Sequence, residues 1–127
     1  MNMEVSVKHL ISKLLADHGF NVKLDSTLTG RSGLKHSFDI VAVKKAQTIC
    51  FEIIDIDEGS LVKTLGKAID ISPAKIFLVS SRRATSFMAV SGIGNLEVIF
   101  YGEIEEIKDI IERKILSHLN TMINCEM

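Results

Sequence analysis

Two apolar runs separated by four residues constrain this chain more than anything else in it. HSFDIVAV occupies 36–43 and TICFEIIDI occupies 48–56, with the polar turn KKAQ between them. Runs this short, rich in β-branched and aromatic residues and split by a tight polar turn, predict a hairpin. Apolar side chains on both faces place both strands in the interior of a sheet. With 44–47 as the loop, Val43 faces Thr48 and Asp39 faces Glu52. Directly opposed side chains on neighbouring strands lie about 5 Å apart at Cβ. Two carboxylates are thereby brought together inside otherwise apolar strands.

The remaining elements are arranged around that hairpin. Val7, Leu10, Ile11, Leu14 and Leu15 keep the three-and-four spacing of one helix face, and Gly19 follows as a stop signal. Phe20, Val22 and Leu24 alternate with polar residues as a half-buried strand does. STLTGRSGLK at 26–35, small and glycine-bearing, reads as a loop. Ser60 is placed to cap a helix reaching about Asp70, with Leu61, Leu65, Ala68 and Ile69 as its apolar stripe. Beyond Pro73 come a strand at 75–81, a short helix at 85–91 and a strand at 96–101. A last helix starts near Glu103, with Ile104, Ile107, Ile111, Ile115 and Leu119 facing the sheet. Three antiparallel strands followed by alternating helices and strands predict an α/β fold, a central mixed sheet flanked by helices. At 127 residues the chain fits one domain, 1–127.

Composition narrows the setting. No apolar run approaches the roughly 18 residues of a membrane span, and MNMEVSVKHL lacks the layout of a secretory leader, so the expected location is cytoplasmic. Cys50 and Cys125 have neither disulfide-framework nor metal-ligand spacing and read as reduced thiols. The net charge of -1 conceals an asymmetry: residues 1–50 carry 7 Lys/Arg against 4 Asp/Glu, and residues 51–127 carry 8 against 12. A basic N-terminal half is compatible with phosphate contacts. SGIGN, containing Gly92 and Gly94, follows a helix rather than opening one and is no phosphate loop.

An ionised carboxylate inside an apolar strand is costly unless it is paired, hydrogen-bonded or bound to a cation. Asp39 and Glu52 at cross-strand distance repel unless a divalent ion lies between them or one is protonated. Oxygen-only ligation suits Mg²⁺, with Mn²⁺ as a substitute. The competing explanation is a structural pair satisfied by main-chain amides. The order helix, glycine-bearing loop, strand with Asp39, tight turn, strand with Glu52 resembles the restriction-endonuclease-like PD-(D/E)xK nuclease superfamily. GRSGLKHSFDIVAV followed by ICFEII is similar to its small archaeal and Mrr-like members.

That resemblance implies Asp39 and Glu52 as catalytic metal ligands and the Ile53 carbonyl as a further one. Where it expects a lysine the sequence has Ile54, and where it expects a carboxylate on the first helix the sequence has Lys8, with Glu4 one turn earlier. A relocated amine is sought in Lys63, Lys67 or Lys44, with Lys63 taken as the catalytic candidate. Arg31, Lys35 and His36, just ahead of the Asp39 strand, are the candidate nucleic-acid contacts. Asp55, Asp57 and Glu58 read as an acidic strand end, and Arg82 and Arg83 as an exposed basic turn. The expected function is a nuclease-like domain acting on or binding DNA, with Mg²⁺-dependent cleavage put in question by Ile54. The alternative is an inactive nucleic-acid-binding or protein-interaction module on the same scaffold. Ile110, Leu116, Met122 and Ile123 make the end of the chain apolar on more than one side, and a homodimer is the expected association.

Overall fold

A computed structural model describes residues 3–53, 58–81, 92 and 94–116 of the chain. Its elements are α1 (Met3–Asp17), β1 (Asn21–Thr29), β2 (Lys35–Lys44), β3 (Gln47–Ile53), α2 (Glu58–Ile71), β4 (Lys75–Ser80), β5 (Leu96–Phe100) and α3 (Ile104–Ile111). A π-helical turn, Glu112–Leu116, continues α3. The five strands form one sheet in sequence order, β1 to β5. Pairing is antiparallel from β1 to β3 and parallel from β3 to β5, so the fold is α/β with a mixed sheet and three flanking helices. The expected helix at 85–91 and the end of the third strand at 54–56 lie outside the described residues.

Each face of the sheet supports its own core. Ile40, Ala42, Ile49, Phe51, Phe77, Val79 and Ile99 pack with Val7, Ile11 and Leu15 of α1 and with Ile107, Ile111 and Ile115. On the other face Val41, Cys50, Ile76, Leu78, Leu96 and Val98 pack with Ala68 and Ile71 of α2. This two-sided burial is why β3 and β4 read as continuous apolar runs. The Glu106 carboxylate accepts the Glu103 backbone N–H at 3.2 Å, holding the start of α3 against the end of β5.

Three sequence expectations are corrected. Residues 26–35 are not all loop: β1 runs to Thr29, β2 begins at Lys35, and only the connection between them turns. As an edge strand, β1 packs Val22 against one core and Leu28 against the other with no fully buried residue, so Ser26, Thr27 and Thr29 pair without leaving a hydrophobic signature. The turn after β2 is also tighter, because Lys44 pairs with Gln47 and Lys45 takes a left-handed φ of 55°. The inferred register survives, with Val43 opposite Thr48. Finally, the buried face of α2 is rotated. Thr64, Ala68 and Ile71 face inward while Ile69 is 70% exposed.

Candidate carboxylate–lysine site

Asp39 occupies the one place where β2 loses its regular pleat. Ile40 and Ala42 belong to the α1-side core, yet Phe38, which alternation would put beside them, belongs to the α2-side core. The β1–β2 ladder is interrupted at the same point, between Leu24↔Ile40 and Ser26↔Phe38. Asp25, opposite Asp39, has a left-handed φ of 48°. Such a conformation is uncommon outside glycine and is best tolerated by Asn and Asp. The irregularity frees the Asp39 side chain from a packed face. Its Oδ2 accepts the Ile53 backbone N–H at 2.7 Å, and its Oδ1 lies 3.9 Å from the Lys8 Nζ of α1. The Lys8 ammonium donates a short hydrogen bond to Asp25 Oδ1.

Glu52 follows Phe51, whose ring stacks on Phe77 within the opposite core, so alternation along β3 turns Glu52 toward α2. There Lys67 Nζ donates to Glu52 Oε1 at 2.5 Å and to the Ser37 carbonyl at 2.9 Å. Thr64 Oγ1 donates to Oε2 at 3.2 Å. The Lys67 ammonium also lies 5.3 Å from the centre of the Phe38 ring. A buried carboxylate is thus paired with a specific ammonium rather than with main-chain amides, the arrangement that offsets desolvation.

The β2–β3 ladder ends at the Ile40↔Phe51 pair, just before Asp39 and Glu52, and Asp39 Oδ2 reaches the Ile53 backbone N–H beyond it. Asp39 and Glu52 both line a cleft of about 430 Å³ shared with Asp25, Ser37, Phe38, Ile53 and Lys67. The amine in this cleft from α2 is Lys67. Lys63 is exposed and lines a neighbouring, more apolar hollow with Leu34, His36 and Val62, a hollow that Lys67 borders as well; Lys63 does not line the cleft with Asp39 and Glu52. Lys44 donates to the His18 carbonyl at 2.6 Å and lies over the Phe20 ring, at the opposite end of β2. Among the described residues no group of three or more His, Cys, Asp or Glu side chains is arranged around one ion position. Ile54, Asp55, Asp57, Arg82 and Arg83 lie outside the described residues, as does the Glu58 side chain.

Of the three candidate contact residues, Arg31 before β2 and Lys35 and His36 at its start, two are engaged within the protein. The Arg31 guanidinium donates to the Ile69 carbonyl at 3.3 Å, and its backbone N–H donates to the Asp70 carbonyl. His36 Nε2 is 2.7 Å from Asp70 Oδ2, while Lys35 is exposed. Asp70, at the end of α2, gathers this turn: the Ser32 hydroxyl donates to it at 2.6 Å and the Ser32 N–H at 2.9 Å. Those Ser32 and His36 hydrogen bonds hold its carboxyl down at about 2. Nothing in the sequence singled out Asp70 or Ser32, although Arg31 and His36, which also meet Asp70, were noticed. In the core, burial, reinforced by the nearby Glu52 charge, pushes the Cys50 thiol up to about 12.

With this geometry in view, no family profile and no curated protein sequence matches the chain. Solved structures do resemble it. The crystal structure of VC1899 from Vibrio cholerae superposes with a TM-score of 0.65 at 16% identity, over 87% of this chain and 32% of that one. AF1548, a protein of unknown function, gives a TM-score of 0.54 at 16% identity, over 78% of this chain and 58% of that one. A half-complex of Thermococcus gammatolerans McrB AAA+ hexamers with bound McrC gives 0.54 at 14% identity, over 92% of this chain and 33% of the matched one. These likenesses show the fold alone. The chain spans between about a third and three-fifths of the length of the chains it matches. Among the described residues no helix is long and apolar enough to cross a membrane.

Proposed function

We propose that this domain is a PD-(D/E)xK-type, metal-dependent DNA endonuclease domain in which Lys67 supplies the amine that Ile54 cannot. The observation that carries the reading is the seating of the Lys67 ammonium on Glu52 at 2.5 Å, in the cleft that also contains Asp39. The donor chemistry fits a hard divalent cation: Asp39 Oδ1 has only the distant Lys8 ammonium beside it, and each Glu52 oxygen retains a lone pair. Asp39, Glu52 and the Ile53 carbonyl would hold Mg²⁺ or Mn²⁺. When bound, the cation would polarise a phosphoryl oxygen and acidify a water. Lys67, fixed between Glu52 and the Ser37 carbonyl, would orient that water and offset the charge developing on the phosphate. Exposed Lys35 would meet the DNA backbone, with Arg31 and His36 shaping the turn that presents it.

A second reading has its own support. Both Glu52 oxygens already accept protein hydrogen bonds, and the described residues hold no three-ligand cluster, as suits a scaffold that binds nucleic acid without cutting it. Incubation with supercoiled, branched and single-stranded DNA in Mg²⁺ or Mn²⁺ separates the two. The endonuclease reading expects cleavage by the wild type and by Lys63→Ala, and its loss in Asp39→Ala and Lys67→Ala with circular dichroism unchanged. Equal background in every variant, together with a gel shift that weakens steeply with salt, would establish the binding module instead.

A further inference from the structure

Beside the cleft, against two of its carboxylates, lies a second ammonium that the metal-site reading does not use. Lys8 reaches in from α1, ion-pairs with Asp25 and lies 3.9 Å from Asp39 Oδ1, with its side chain only 18% exposed. Asp25 is itself part of the cleft wall. Three carboxylates, Asp25, Asp39 and Glu52, are therefore opposed by two ammoniums, Lys8 and Lys67, and each strand carboxylate has an ammonium of its own. Without Lys8, the Asp25–Asp39 side would present two carboxylates and no cation, a hard-oxygen environment of the kind divalent ions occupy.

We propose that Lys8 is a built-in cation: its ammonium takes the Asp25–Asp39 position, so the cleft accepts one divalent ion, at Asp39 and Glu52, and excludes a second. The proposal rests on the metal-site reading above and adds to it a fixed stoichiometry. A positive charge tethered at that position repels an incoming dication and already satisfies the carboxylates that would bind it. Phosphodiester sites that use two ions place them about 4 Å apart; here the tethered ammonium beside Asp39 would take the place of the second. Lys8 is a positioning residue in this account.

The test is calorimetric titration of the full chain with Mn²⁺ alone, with circular dichroism and a thermal melt to establish that each variant is folded. The wild type and Lys8→Arg are expected to bind one Mn²⁺ per chain, Lys8→Met two, and Lys8→Met combined with Asp25→Asn one. One ion in both wild type and Lys8→Met, or two in the wild type, overturns the role of Lys8 and leaves the metal-site reading standing. No ion in either overturns both. No ion in the wild type with binding gained in Lys8→Met overturns the one-ion stoichiometry proposed here together with the metal-dependent reading of the wild type. Should Lys8→Met fail to fold, Lys8→Gln takes its place in each comparison.

Discussion

Replacing Lys67 by methionine keeps the aliphatic stem and removes the ammonium from Glu52. The carboxylate is then left with the Thr64 hydroxyl as its donor, in a position where its side chain is 12% exposed. Removing one partner of a fully buried ion pair costs about 3–5 kcal/mol. Lys67 is 25% exposed, and solvent screening of this partly open pair reduces the expected loss to about 2 kcal/mol. For a domain of this size the loss lowers Tm by about 8 °C. Glu52→Gln alone leaves the ammonium on the Ser37 carbonyl and costs about 1 kcal/mol. The double variant has no stranded charge, so urea denaturation of all four proteins should give a coupling energy of about 1.5 kcal/mol. A coupling below about 0.5 kcal/mol, the range in which distant sites simply add, would mean that the pair is solvated and that Lys67 is not fixed in the cleft.

Three further outcomes follow from the same structure. Gly30→Ala places a Cβ 1.9 Å from Asp70 Oδ2, so it should release the 30–33 turn and lower Tm by several degrees, at about 4 °C per kcal/mol; an unchanged melt would refute the close approach. Because the Asp70 carboxyl is depressed to about 2, its contribution is complete above its ordinary value near 3.8 and is lost as pH falls toward 2. Asp70→Asn should accordingly flatten the acid limb of stability measured between those values. With its thiol raised to about 12, Cys50 should stay unreactive toward a disulfide reagent at pH 8 in a folded Cys125→Ser variant and react once urea is added; fast native labelling would contradict its burial.

The two carboxylates were legible because each breaks an apolar run, and the strand register, from Val43↔Thr48 as far as Ile40↔Phe51, followed from the spacing of the strands alone. The turn proved two residues shorter than the loop assumed, but tightening a hairpin symmetrically keeps the pairing. Choosing among the lysines of α2 required the phase of that helix. Reading Ile69 as buried turns the wrong side inward, whereas burial of Thr64, Ala68 and Ile71 puts Lys67 at the margin of the buried face. Lys63 then falls about 40° farther round toward solvent, at 100° per residue. Leu61, Leu65, Ala68 and Ile69 form an equally good stripe on paper, and tertiary packing decided between them. The strand at 26–29 was hidden for a different reason: an edge strand with Leu28 as its one apolar side chain there shows no hydrophobic period. The break in pleating at Asp25 and Asp39 left no trace either, since aspartate in a left-handed conformation looks like any other strand-flanking aspartate.

The claim on which the functional account turns is that Asp39 and Glu52 can share one divalent ion beside Lys67. Anomalous diffraction from a crystal soaked in Mn²⁺ measures this directly. A single peak about 2 Å from an oxygen of each carboxylate, as hard-cation ligation requires, is the predicted result. No peak in the cleft, with the Lys67 ammonium still seated on Glu52, would contradict it.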